Sequence, residues 1–146
     1  YYTSPPFQSE NATKEDFERY KRYEHFKSKF SKVKIISIRE GRCQRLKIDG
    51  KFVYRQKGVD ALVIIDLMSI PLEHKDVKRV ILIANDSDFV PVVEKLKEIG
   101  IKIVLYTYYL KNRNSSFSRS NELLKTVSMY VPLTKQDFEN ALLNKK

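Results

Sequence analysis

Two aspartates two residues apart, Asp86 and Asp88, close the short apolar run Ile81-Leu82-Ile83-Ala84 and precede a stretch with helical spacing. Carboxylates held this close repel one another unless a cation or hydrogen bonds compensate. A hard divalent ion such as Mg²⁺ or Mn²⁺ meets that need, because it takes oxygen ligands and retains several waters. Held there, it would polarise the oxygens it binds and lower the pKa of a bound water. Asp88 also fits a helix N-cap, for which Asp is a favoured residue; capping occupies one acid and leaves the other without a structural task. A third acid, Asp60, follows Lys57-Gly58-Val59 at the start of another apolar stretch. It either complements a helix dipole there or reaches the same crevice as Asp86 and Asp88, and spacing leaves both open. Asp66, six residues on, is off the Asp60 face of a helix and is read as structural or peripheral.

Hydrophobic spacing supplies the elements that must carry these acids. Thr13 followed by Asp16 reads as an N-cap with an acidic N3 group. Phe17, Tyr20, Phe26 and Phe30 then mark an apolar face, predicting a helix over about 13–31. Val33–Ile38 is rich in β-branched residues and predicts a strand. Residues 39–57, with Gly41 and Gly50 and alternation around Leu46, Ile48, Phe52 and Tyr54, predict a hairpin or loop excursion. Val59–Met68 predicts a helix stopped by Pro71, and Val80–Ala84 a strand covered on both faces. Phe89–Ile99 predicts a helix with Gly100 at C′, and Ile101–Tyr106 a further buried strand. A polar loop over 111–119, a helix over 120–127 and a strand near 129–131 follow. A last helix starts at Thr134, where Asp137 repeats the capping pattern. Strand and helix alternating at this spacing imply βαβ units and a mainly parallel sheet. Ligands of such sheets bind beyond the carboxyl ends of the strands, where Asp86 and Asp88 fall.

With 146 residues, 42% hydrophobic and 32% charged, the chain is expected to fold as one domain over 1–146. No apolar run approaches the roughly 20 residues that cross a bilayer, so a membrane partner is not expected. The single Cys43 excludes an intramolecular disulfide and fits a reducing, cytoplasmic compartment. Two histidines and one cysteine are too few for a Cys/His zinc site. Lys and Arg number 28 against 18 Asp and Glu, a formal charge of +10. That balance points to a polyanion, most simply RNA or DNA, or serves solubility alone. Arg55 and Lys57, ahead of Asp60, and Arg113 and Arg119, in the loop after the 101–106 strand, are candidate phosphate contacts. Each is equally an ordinary solvated side chain. Tyr106, Tyr108 and Tyr109 can stack on single-stranded bases or pack in the core or a homodimer interface, and packing is favoured. His25 and His74 read as surface groups. Tyr1-Tyr2-Thr3-Ser4-Pro5-Pro6, without an initiator Met, reads as the end of a strand entering a proline turn, so a longer natural protein is expected.

Lys57-Gly58-Val59-Asp60, followed about 25 residues later by Asn85-Asp86-Ser87-Asp88-Phe89 and Val90-Pro91, resembles the NYN domains of the LabA/DUF88 type. Those are PIN-like nucleases. The similarity runs from about Tyr1 to Leu133, with Ser120-Asn121-Glu122-Leu123-Leu124 and Val131-Pro132-Leu133 matching the closing helix and strand. It implies a Rossmann-like three-layer α/β/α sandwich with a mainly parallel sheet, and a metal-dependent ribonuclease site acting on RNA. Asp60, Asp86 and Asp88 fall on the family's metal-binding carboxylates. The family's further Asp, at the end of its first strand, has no counterpart here, since the chain starts within the second strand. Its Ser-Gly before Asp-x-Asp is Ala84-Asn85. The competing expectation is a nucleic-acid-binding or regulatory module with an incomplete, inactive site.

Overall fold

The computed structural model describes residues 1–10, 12–108 and 120–141, and the chain divides into two compact units, Tyr1–Asp66 and Leu67–Lys146. The 111–119 loop with Arg113 and Arg119, and Tyr109 before it, lie outside the described residues.

In the first unit, β1 (Tyr2–Thr3) pairs in parallel with β2 (Arg39–Glu40). Helix α1 (Lys14–Phe30) opens on a full capping box. The Thr13 hydroxyl accepts the Asp16 N–H at 3.2 Å and the Asp16 carboxylate accepts the Thr13 N–H at 3.2 Å, which satisfies two otherwise orphaned donors. The covered side of α1 runs through Asp16, Tyr20, Tyr23, Phe26 and Phe30. Phe17, expected on that side, is 64% exposed. The Phe26 and Phe30 rings lie 4.3 Å apart, and Tyr1 meets them at 5.5 and 6.0 Å.

The strand expected over Val33–Ile38 is absent. Val33 and Ile36 donate their N–H groups to the carbonyls of Phe30 and Val33, and these turns consume the groups a ladder needs. The chain reverses here to bring Arg39 beside Tyr2, and Ile35 is left 94% exposed. β-Branching lost to that reversal. The expected hairpin is present as β3 (Arg42–Ile48) and β4 (Lys51–Lys57), paired antiparallel from Arg42↔Lys57 to Ile48↔Lys51. Asp49 and Gly50 join them with φ of 49° and 78°, the two left-handed residues of a tight hairpin turn.

Gly41 links β2 to β3 at a point of close approach. A Cβ there would stand 2.5 Å from the Lys57 carbonyl oxygen and 2.9 Å from Val59 Cγ2. Helix α2 (Val59–Glu73) buries Val59, Val63 and Leu67, spaced four apart on one stripe. It continues through Pro71, where the sequence predicts a stop. A proline in the last turn removes a single N–H, and the His74 N–H still closes onto the Ile70 carbonyl at 2.8 Å. Asp66 is structural: it accepts Tyr2 Oη and Arg39 Nη2, each at 2.9 Å, and so ties β1 and β2 to α2.

The second unit holds a parallel sheet in the order β5-β6-β7, formed by β5 (Arg79–Ile83), β6 (Lys102–Thr107) and β7 (Met129–Pro132). A 3₁₀ turn over Ser87–Phe89 leads into α3 (Val90–Glu98); α4 (Asn121–Thr126) and α5 (Lys135–Asn140) follow. Helix α3 packs on β6 and on α4, around Val93, Leu96, Ile103, Leu105 and Leu123, all nearly inaccessible. Gly100 takes the expected C′ place: its N–H meets the Lys97 carbonyl, and the Ile101 N–H meets that of Leu96, each at 2.9 Å. β5 is buried on one face only. Leu82 is covered, whereas Ile81 and Ile83, on the opposite face by alternation, are 60% and 73% exposed, and among the described residues β5 stands at the edge of its sheet. Among the described residues no helix is long and apolar enough to cross a membrane.

Candidate functional site

β5 and β6 run in parallel, so their carboxyl ends share one edge of the sheet. The chain leaving β5 passes through Ala84 and Asn85 into the acidic turn. Asp86 is extended (φ −90°, ψ 139°), and its Oδ1 accepts the Asp88 N–H at 3.1 Å. The cap of this turn is therefore Asp86 and not Asp88, which the sequence had as the N-cap candidate. A cap must precede the N–H it receives, and the inserted 3₁₀ turn moves that point two residues upstream. Capping through Oδ1 leaves the second Asp86 oxygen and the whole Asp88 carboxylate to other partners. Both acids are exposed.

Asn85 fixes this turn to its neighbours. Its Nδ2 donates to the Tyr108 carbonyl at 2.8 Å, and its Oδ1 accepts the hydroxyl of Thr107, a residue only 2% exposed. Its own carbonyl accepts the Ser120 N–H at 3.1 Å, at the N-cap of α4. Sequence reading noted Asn85 only as a departure from the Ser-Gly pattern. A polar residue between a buried strand and an acidic pair is the signal that could have shown its task. Tyr108 packs edge-on against Phe138 at 5.5 Å, in line with the packing expected of this tyrosine cluster.

Asp60 stands exposed in the first turn of α2. One carboxylate oxygen from each of Asp60, Asp86 and Asp88 lies within 4.8 Å of the other two. This cluster of three acidic residues can bind a metal ion. Two oxygens on opposite sides of a Mg²⁺ at about 2.1 Å are ~4.2 Å apart, so the spread of the cluster is on the scale of one ion's shell. The donors are all oxygen, which suits a hard cation.

Arg55 and Lys57 are exposed on β4, two residues apart and so on the same face of the hairpin. The register sets Arg42 directly across from Lys57 and Gln44 across from Arg55. Arg42 is thus a further cation on this face, one that sequence reading missed. Reading Asp49-Gly50 as a two-residue turn would have revealed the pairing. Like charges opposed across strands destabilise one another, and a bound anion relieves that cost. His25 and His74 are exposed, as expected, and Cys43 is half-buried on β3.

A family model described as the NYN domain matches residues 7–133 of the 146. No curated protein and no solved structure gives a significant match.

Proposed function

Because the chain belongs to the NYN domain family, within the PIN-like nuclease superfamily, we propose that it is a metal-dependent ribonuclease of the LabA/DUF88 type. The observation that carries this reading is the approach of Asp60, Asp86 and Asp88 oxygens to within 4.8 Å of one another. These three carboxylates would hold one Mg²⁺ or Mn²⁺. When bound, such an ion supplies a nucleophilic water at neutral pH and neutralises charge on the scissile phosphate.

The chain's own groups account for the remainder. Asp86 holds the turn through Oδ1 and keeps its other oxygen for the ligand. Asn85 fixes where the turn leaves β5. Arg42, Arg55 and Lys57 contact backbone phosphates along β4, the strand that runs directly into the Asp60 turn. Arg113 and Arg119 are further phosphate contacts in this reading. The three-layer sandwich and a cytoplasmic location belong to the same reading.

The test is cleavage of end-labelled single-stranded RNA with Mn²⁺ or Mg²⁺, comparing the chain with Asp86→Asn. Asn is as good an N-cap as Asp, so the turn persists while the charge is lost; cleavage is expected to vanish in the variant and in EDTA. Salt-sensitive RNA binding without cleavage at any metal concentration would replace the nuclease with the regulatory binding module.

A further inference from the structure

The other face of the β3–β4 hairpin carries a cluster that the acidic site does not use. Alternation places Arg45, Phe52 and Tyr54 together there, with Arg45 directly across from Tyr54. The Arg45 guanidinium stacks between two rings, 4.6 Å from the centroid of Phe7 and 4.5 Å from that of Phe52. Phe7 in turn packs on Tyr54 at 6.0 Å. A groove of ≈ 240 Å³ lined by Pro5, Pro6, Phe7 and Tyr54 continues the face. Despite these contacts the rings remain open to solvent, with Phe52 56% and Tyr54 39% exposed.

Rings serving only as core would be covered, and a purely solvated surface would not hold two of them around a guanidinium with a third packed alongside. The charge narrows the occupant. Between Arg42 and Lys57 there are six cations against one carboxylate, Asp49. A strongly basic ribbon repels a basic partner, gives a neutral one no charge attraction, and attracts a polyanion. Among polyanions, only a single-stranded nucleic acid also offers unpaired flat bases that stack on exposed rings.

We propose that this aromatic face of the hairpin binds single-stranded nucleic acid, stacking bases on Phe52 and Tyr54 while Arg45 and Lys47, on the same face, meet the phosphates. Arg45 holds the Phe52 ring and adds its charge beside the base. The inference rests on the nuclease reading for its choice of polynucleotide as ligand, and extends it by naming the unpaired strand as the form recognised.

The experiment measures fluorescence anisotropy of a labelled 12-nucleotide single-stranded RNA in EDTA, so that binding is read without cleavage. Inorganic polyphosphate and a blunt RNA duplex serve as comparison ligands. Phe52→Ala is expected to weaken single-strand binding roughly 5- to 150-fold, the range for loss of one base–aromatic stack. Phe52→Trp should retain it, while Phe52→Leu, which keeps apolar bulk for folding, should weaken it as Ala does. Polyphosphate and duplex affinities should stay within about twofold throughout. Equal weakening for polyphosphate, unchanged single-strand binding in Phe52→Ala, or no binding by the parent chain would each overturn the proposal. The two readings separate cleanly. Metal-dependent cleavage with no ring effect removes the hairpin inference alone, and ring-dependent binding with no cleavage removes the nuclease alone.

Discussion

Replacing Asn85 by Ala tests whether the acidic turn is held by the clamp at the carboxyl edge of the sheet. The side chain satisfies two groups, the Tyr108 carbonyl and the Thr107 hydroxyl. Tyr108 is a half-exposed residue, so water can replace the partner its carbonyl loses. Thr107 is 2% exposed, so its hydroxyl is stranded, at a cost of about 1–3 kcal/mol. Thr107→Val removes the hydroxyl and leaves Asn85, itself half-exposed, able to turn to water; a cost near 1 kcal/mol is expected. In the double variant no buried group is stranded, and the total should fall short of the summed single losses by about 1 kcal/mol or more. Urea unfolding of the four proteins measures this cycle. Far-UV circular dichroism suits it, since the chain has no tryptophan. Asn85→Ala should also weaken Mn²⁺ binding, because the turn carrying Asp86 loses its anchor. Additivity within about 0.5 kcal/mol, or an Asn85→Ala loss below that figure, would refute the clamp.

Gly41→Ala should be strongly destabilising, on the order of 1–3 kcal/mol as for other overpacked sites, because its methyl would meet the Lys57 carbonyl oxygen at 2.5 Å; thermal unfolding reads it. Hydrogen bonds from the Thr13 hydroxyl and N–H hold the Asp16 carboxyl below the usual carboxylate range. A lowered folded pKa contributes stability that is present above the unfolded pKa of about 3.9 and lost as pH falls through the folded value. Thr13→Val should therefore raise the Asp16 pKa, seen by carboxyl NMR titration, and flatten the pH dependence of stability below about pH 4. Leu96→Ala, at a fully buried position of α3, should cost about 2–5 kcal/mol by urea unfolding.

Much of the fold was legible because its signals are local. Thr13 with Asp16, Thr134 with Asp137, and Gly100 at a helix end each name their element within four residues. The three acids were legible as well, since carboxylates after a strand and at a helix start fall where ligands gather. The failures all involve partners distant in sequence. Val33–Ile38 has strand composition but spends its backbone groups on turns. Val80–Ala84 has the composition of a central strand yet lies at an edge, which only the sheet order reveals. Arg42 and Asn85 acquire their places from β4 and β6, through register and cross-strand hydrogen bonds that no local pattern encodes.

The bare side of β5 has a practical consequence for anyone purifying this protein. Its outward row of amide and carbonyl groups, paired in no sheet among the described residues and flanked by Ile81 and Ile83, is a template on which a second molecule can zip up edge to edge. The surplus of ten positive charges on each copy opposes such pairing. That repulsion reaches about 30 Å at 0.01 M salt and only about 3 Å at 1 M. Concentrated stocks should thus stay clear in dilute buffer and turn cloudy as salt is raised, reversing the usual advice for a basic protein. A single Ile83→Lys exchange would place a gatekeeper on that rim and restore tolerance of salt.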